Sequence, residues 1–218
     1  MADELIAAVQ AGDTARVREL LAADPTLAEA CDENGVSALM LSRYHGAPDE
    51  LTSTLREARD DVDVFEAATL GEVERLERWL QEDRSLVSRR SPDDTTPLHF
   101  AAFFARPDAA KLLIERGADV HAVSPTFGRV TPLHSAAAGR STEIVHALLL
   151  AGAEPNARQE GGFVALHAAA QSGDVEMARD LLEHGADPRL ATDDGRTALA
   201  IAEEQGHDEL VALLRAPR

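Results

Sequence analysis

Apolar residues along this chain recur at helical spacing in short runs, and glycine closes several of them. Ile144, Val145, Leu148 and Leu149 place four apolar side chains on one helical stripe. That stripe stops at Gly152, a residue suited to a left-handed helix cap. The same stop recurs as Gly117-Ala118-Asp119 and Gly185-Ala186-Asp187. Ahead of such helices lies a shorter, alanine-rich segment, as over 99–105. Alanine favours helix and adds little bulk, so neighbouring units can approach closely. Turns rich in Asp and Gly, such as Asp193-Asp194-Gly195, lead from one helix pair to the next. In the N-terminal half, 13–21 and 72–80 read as second helices, each after a short helix that ends at Gly12 or Gly71. Both second helices finish alike, in Asp24-Pro25-Thr26-Leu27 and Asp83-Arg84-Ser85-Leu86. The pattern predicts an all-α chain of paired helices.

A motif sets the period. Thr96-Pro97-Leu98-His99-Phe100-Ala101 returns as Thr131-Pro132-Leu133-His134-Ser135-Ala136, Val164-Ala165-Leu166-His167-Ala168-Ala169 and Thr197-Ala198-Leu199-Ala200-Ile201-Ala202. The successive offsets are 35, 33 and 33 residues. Ser37-Ala38-Leu39-Met40 fills the same slot earlier. Threonine is suited to capping a helix, and proline after it is preset for the first turn. The motif and its period resemble the ankyrin repeat family, whose unit is about 33 residues with the signature T-P-L-H-x-A. The resemblance is strong over 94–218 and weaker, though in phase, over 2–93. It implies an all-α helix-turn-helix solenoid with short turns or β-hairpin tips. One domain over 1–218 is expected, with seven units starting near 2, 35, 61, 94, 129, 162 and 195. Asp3, Glu4 and Gln10 suit one polar end cap, and Glu203, Glu204, Gln205 and Asp208 the other.

Charge changes the picture of partners. Thirty-nine acidic residues against 21 basic give a net charge of −18. Such a surface repels nucleic acid and anionic membrane, and it favours a protein with a basic surface. No apolar run is long enough to span a membrane, and the N-terminus lacks the pattern of a secretory signal. Cys31 is the only cysteine, which leaves no internal disulfide and no multi-cysteine zinc site. It is expected near the end of a second helix as a buried or bystander thiol. These features point to a cytoplasmic, monomeric protein.

No cofactor and no metal are expected. Equivalent residues of successive repeats lie about 10 Å apart, whereas zinc needs ligands at about 2 Å. His99, His134 and His167 therefore cannot share one ion; in the family such histidines tie adjacent turns together. His207, at the start of a second helix, reads as an exposed polar residue. The chain carries no nucleophile elbow, no phosphate loop and no H-E-x-x-H helix. Acidic pairs such as Asp93-Asp94 and Asp193-Asp194 fall near turns, where solvation accounts for them.

The family implies a non-catalytic protein-interaction module whose partner lies on the concave face, built from turn tips and the exposed side of each first helix. The two residues before each first-helix stop supply Tyr44, His45, Thr69, Leu70, Phe103, Phe104 and Gln171. The residues just before the signature threonine slot supply Thr95, Phe163 and Arg196. The turn from Gly117 to Thr131 runs 14 residues where its counterparts run 12, and its tip carries Phe127 and Arg129. Aromatic residues are only 4% of the chain, and aromatics commonly anchor interfaces. Candidate partner-binding residues are thus Tyr44, His45, Thr95, Phe103, Phe104, Phe127, Arg129, Phe163, Gln171 and Arg196. Phe65 and Phe100 are expected to pack inward. Three alternatives stay open: an acidic protein that inhibits or sequesters a basic enzyme or nucleic-acid-binding protein, an enzyme with an unmarked acidic site, and self-association through the aromatics.

Overall fold

The computed structural model describes residues 1–216. Among them, fourteen α-helices follow one another in seven pairs. The pairs are α1 (Ala2–Gln10) with α2 (Thr14–Ala23), α3 (Ala38–Tyr44) with α4 (Asp49–Glu57), α5 (Val64–Leu70) with α6 (Val73–Glu82), and α7 (Pro97–Phe103) with α8 (Pro107–Glu115). They continue as α9 (Pro132–Ala138) with α10 (Thr142–Leu150), α11 (Ala165–Ser172) with α12 (Val175–Glu183), and α13 (Ala198–Gln205) with α14 (Asp208–Arg215). The described residues hold no sheet. Three isolated antiparallel bridges pinch the bases of turns: Cys31 with Ser37, Ser124 with Val130, and Ala191 with Thr197.

Short polar side chains start many of these helices. Asp13, Asp63, Ser141, Asp174 and Thr197 each accept a first-turn backbone N–H. Asp63 and Glu66 do so reciprocally, since Glu66 also accepts the Asp63 N–H. α7 and α9 open on proline instead. The first helix expected over 99–105 accordingly begins two residues earlier, at Pro97, whose φ is already helical. It ends at Phe103, and Ala105 turns the chain at φ +52°. The similar tails of α2 and α6 become matching 3₁₀ turns, Pro25–Glu29 and Arg84–Ser88, capped by Asp24 and Asp83.

Successive first helices pack side by side, as α5, α7 and α9 do, and the second helices form a parallel outer row. The signature leucines fill the seams: Leu39, Leu98, Leu133 and Leu166 are at most 1% exposed. Leu199 of the last pair is only half-buried, because no further pair covers it among the described residues. Small residues allow the close approach. Ala101, Ala102, Ala136, Ala137, Ala169 and Ala170 are buried, and at Gly139 an added Cβ would lie 2.7 Å from the Ala102 carbonyl oxygen.

The signature histidines join the turns. The backbone N–H groups of Thr131 and Val164 donate to Nδ1 of His134 and His167, at 3.1 and 3.0 Å. Nδ1 of His99 lies 2.7 Å from the Thr96 hydroxyl. An accepting Nδ1 leaves the proton on Nε2. Nε2 of His99 then donates to the Val130 carbonyl at 3.2 Å, and Nε2 of His167 to that of Leu190 at 3.1 Å. His134 forms only the first half, since its Nε2 has no hydrogen-bond partner among the described residues. Two expectations need correction. Cys31 lies beyond the 3₁₀ turn, in the pinched base of a tip, and is exposed. His207 caps α14 half-buried, with Nε2 3.3 Å from the Gln171 carbonyl, because α13 and α14 pack against the preceding pair.

Candidate functional site

The first helices and turn tips enclose a groove of about 640 Å³. Its walls are Tyr44 of α3, Phe100, Phe103 and Phe104 at the C-terminal end of α7, and Phe127 on the long tip before α9. Val36, Val130, Ser135 and Ala138 complete much of the lining. A second groove of about 460 Å³ adjoins it and shares His134, Ala138 and Gln159. The second groove continues over Arg140, Phe163, Gln171 and Ser172.

The aromatic wall is built in layers. Phe100 is buried and meets Phe65 edge-to-face at 5.9 Å, so both pack inward as expected. Tyr44 lies over this pair, 6.3 Å from the Phe100 ring and stacked at 6.3 Å on Phe104. Phe104 in turn meets Phe103 edge-to-face at 5.1 Å. Tyr44 reaches α7 across α5 because the intervening position is Thr69, small and only 1% exposed. Thr69 thus does not face solvent as its sequence position suggested. The Tyr44 hydroxyl donates to Asp93 Oδ2 at 3.0 Å. Burial first, and the Asp93 charge second, push the phenol above its ordinary pKa. The Arg43 guanidinium sits 5.6 Å from the centre of the Phe104 ring and pairs with Asp49.

Phe103 and Phe127 are 50% and 51% exposed, and both line the first groove. Phe163 is half-buried edge-to-face on His167 at 5.6 Å, and with exposed Gln171 it lines the second groove. Of the remaining candidates, Thr95 lines the first groove and the others stand elsewhere. Thr95 is not the exposed turn residue expected: it is 4% exposed, its hydroxyl 2.8 Å from that of Ser124, so it pins one tip to the next. His45 is exposed as the cap of α3 but lines neither groove. Arg129 is exposed at φ +62° and likewise lies outside both linings. Arg196 is half-buried, donates from Nε to Asp194 at 2.8 Å, and lines neither groove. The tip beside it is stiffened the same way, with Thr192 bonded to Asp194.

Sequence reasoning missed two groove residues: it read Asp93 as an ordinary turn carboxylate and did not single out Asp32. Only the stacking of tips brings them onto the aromatic wall. Asp32 holds its own turn by accepting the Asn34 and Val36 N–H groups at 2.9 Å each. His99 and His134 also line the groove, but burial keeps both neutral, His99 down to about 4. Their Nδ1 atoms face the turn threonines, so neither imidazole is presented to a substrate as a free base. Among the described residues no cluster of three or more His, Cys, Asp or Glu is arranged to hold a metal, and no helix is long and apolar enough to cross a membrane. The arrangement suits binding: an apolar, aromatic wall edged by carboxylates.

A family model for ankyrin repeats, three copies at a time, matches residues 5–124, 64–159 and 133–217. The chain is 32% identical over 133 residues to the B-cell lymphoma 3 protein homolog of Mus musculus, a match covering 61% of this chain and 25% of that protein. It is 38% identical over 95 residues to the probable E3 ubiquitin-protein ligase XBOS31 of Oryza sativa subsp. japonica, covering 43% of this chain and 21% of the relative. It is 37% identical over 86 residues to the neurogenic locus notch homolog protein 4 of Homo sapiens, covering 39% and 4%. The matches span a quarter or less of the length of these relatives.

Proposed function

Because this chain belongs to the ankyrin repeat family, we propose that it is a non-catalytic binding module that holds a protein partner on its concave face. Ankyrin repeats generally mediate protein–protein interaction. The observation that carries the reading is convergence. Of the four large apolar side chains that stand exposed among the described residues, Phe103 and Phe127 come from different elements and line one groove. Exposed aromatics in one concavity are what an interface uses as anchors. The groove is largely formed in the free protein, so binding costs little ordering of its own chain.

Affinity capture from the native lysate tests this, with wild type beside Phe103→Ser/Phe127→Ser. Both side chains are half exposed, so the double variant keeps the core. One protein retained by wild type and lost by the variant is the expected result. Equal retention by both baits removes the groove from the reading.

A second reading follows from charge. With a net charge of −18 and two carboxylates on the groove, the module fits a partner with a basic surface. If that partner is a nucleic-acid-binding protein, the module masks its polyanion site. Polynucleotide then competes with the module for the captured partner.

A further inference from the structure

We propose that the first groove takes an extended peptide segment of its partner: one bulky apolar side chain between Phe103 and Phe127, next to a lysine or arginine that pairs with Asp93. The proposal rests on the concave-face reading and assigns its chemistry. Three observations support it. The groove's aromatic lining also holds the Asp32 and Asp93 carboxylates, and no lysine or arginine lines it. The Asp93 carboxylate is only half used: Oδ2 accepts the Tyr44 hydroxyl, while Oδ1 has no hydrogen-bond or ion-pair partner among the described residues. In the adjoining groove the charge reverses, since Arg140 lines it and no carboxylate does.

These features divide the work. Phe103, edge-to-face on Phe104, and Phe127 each leave about half of the side chain exposed, and burying an apolar side chain against these rings removes both from water. Tyr44 holds Asp93 beside that slot, so the carboxylate is fixed before the peptide arrives. A cation has only one favourable end of the run of two grooves, because Arg140 repels it from the other. Charge sets the direction of the peptide, and the aromatic slot sets its grip.

The test selects random displayed peptides on the full chain and measures a synthetic consensus peptide by fluorescence anisotropy. The expected consensus carries Phe, Trp, Leu or Met next to Lys or Arg. Phe103→Ser and Phe127→Ser each weaken it by about tenfold or more. Asp93→Asn keeps an acceptor for Tyr44 and removes only the charge; it weakens the basic peptide severalfold. Asp93→Lys abolishes that peptide's binding and accepts the version in which Glu replaces the basic residue. Ala138→Arg, which places bulk where the two grooves meet, separates the failures. Peptides blocked by Ala138→Arg but indifferent to Asp93→Asn overturn the chemistry and leave the concave face standing. Peptides indifferent to both changes overturn the concave-face reading as well. A selection that enriches nothing, or only peptides without a basic residue, overturns the proposal.

Discussion

At the scale of single residues, the signature histidines make stability depend on pH. His99 is 2% exposed, and burial holds its pKa down to about 4, from an ordinary value of 6.5. His134 and His167 are lowered for the same first reason. The unfolded chain therefore binds protons that the folded chain refuses. For a base with a depressed pKa, stability is complete above 6.5 and falls as pH drops from 6.5 to about 4. Over that window His99 alone withdraws roughly 3 kcal/mol. Asp63 acts in the opposite sense, because burial raises its pKa, and from its raised value down to 3.8 it opposes this loss. The lowered Asp61, Asp187 and Asp194 carboxylates matter only below 3.8. Urea midpoints measured from pH 7 to pH 4 should fall steadily for wild type. His99→Gln keeps an N–H donor for the Val130 carbonyl without a titrating ring, so it starts less stable and its profile is flatter. Parallel profiles for the two proteins would clear His99 of the effect. Glu66 shows the same seam served differently. At the histidine position of α5, it accepts from the Ser37 hydroxyl at 2.5 Å and pairs with Arg59, tying its helix back to the preceding pair.

At the scale of helices, the stop after each first helix sets the shape of the concave rim. Gly12, Gly46, Gly71, Gly173 and Gly206 occupy it at φ +61° to +78°. In the α7 and α9 pairs the same slot holds Ala105 at φ +52° and Arg140 at φ +57°. A side chain there costs about 1–2 kcal/mol, against about 0.5–1 kcal/mol of extra unfolded-state freedom for glycine. Ala105→Gly should thus raise the unfolding free energy by up to about 1 kcal/mol. The neighbouring Gly139 predicts the reverse: its added Cβ meets the Ala102 and Phe103 carbonyls, so Gly139→Ala should cost about 1–3 kcal/mol. Chemical denaturation of both variants checks the pair, and a stable Gly139→Ala would show that α7 and α9 do not approach so closely. The slot also shows what the sequence could reveal. Apolar period, glycine stops and the recurring Thr-Pro-Leu-His motif together located the helix pairs, and the two residues before each stop included Phe103 and Phe104. Burial at those positions was not legible, because it depends on neighbouring pairs: Thr69 is covered while Phe103 is half exposed. The pairing of Tyr44 with Asp93 was hidden for the same reason, since the stacking of tips, and no local pattern, joins them. The matching 3₁₀ turns were visible as similar sequence but not as structure, since short turns carry no period to read.

At the scale of the whole molecule, charge governs how a partner arrives more than how tightly it stays. Much of the basic charge is already spent within the fold: Arg16, Arg56, Arg59, Arg75 and Arg116 each pair with a carboxylate. The excess of 39 acidic over 21 basic residues therefore dominates the field that a partner meets. Exposed charges act through solvent and are screened beyond a Debye length of about 8 Å at physiological ionic strength. The aromatic slot acts only on contact and is indifferent to moderate salt. The two contributions separate in kinetics. For a basic partner, raising NaCl from 50 to 500 mM should slow association by about tenfold or more, while dissociation changes far less. Phe103→Ser/Phe127→Ser should do the opposite, speeding dissociation and leaving the association rate and its salt dependence nearly as in wild type. Surface-immobilised partner and stopped-flow mixing measure both rates. A salt-independent association rate would mean that the acidic surface serves solubility and that capture depends on the groove alone.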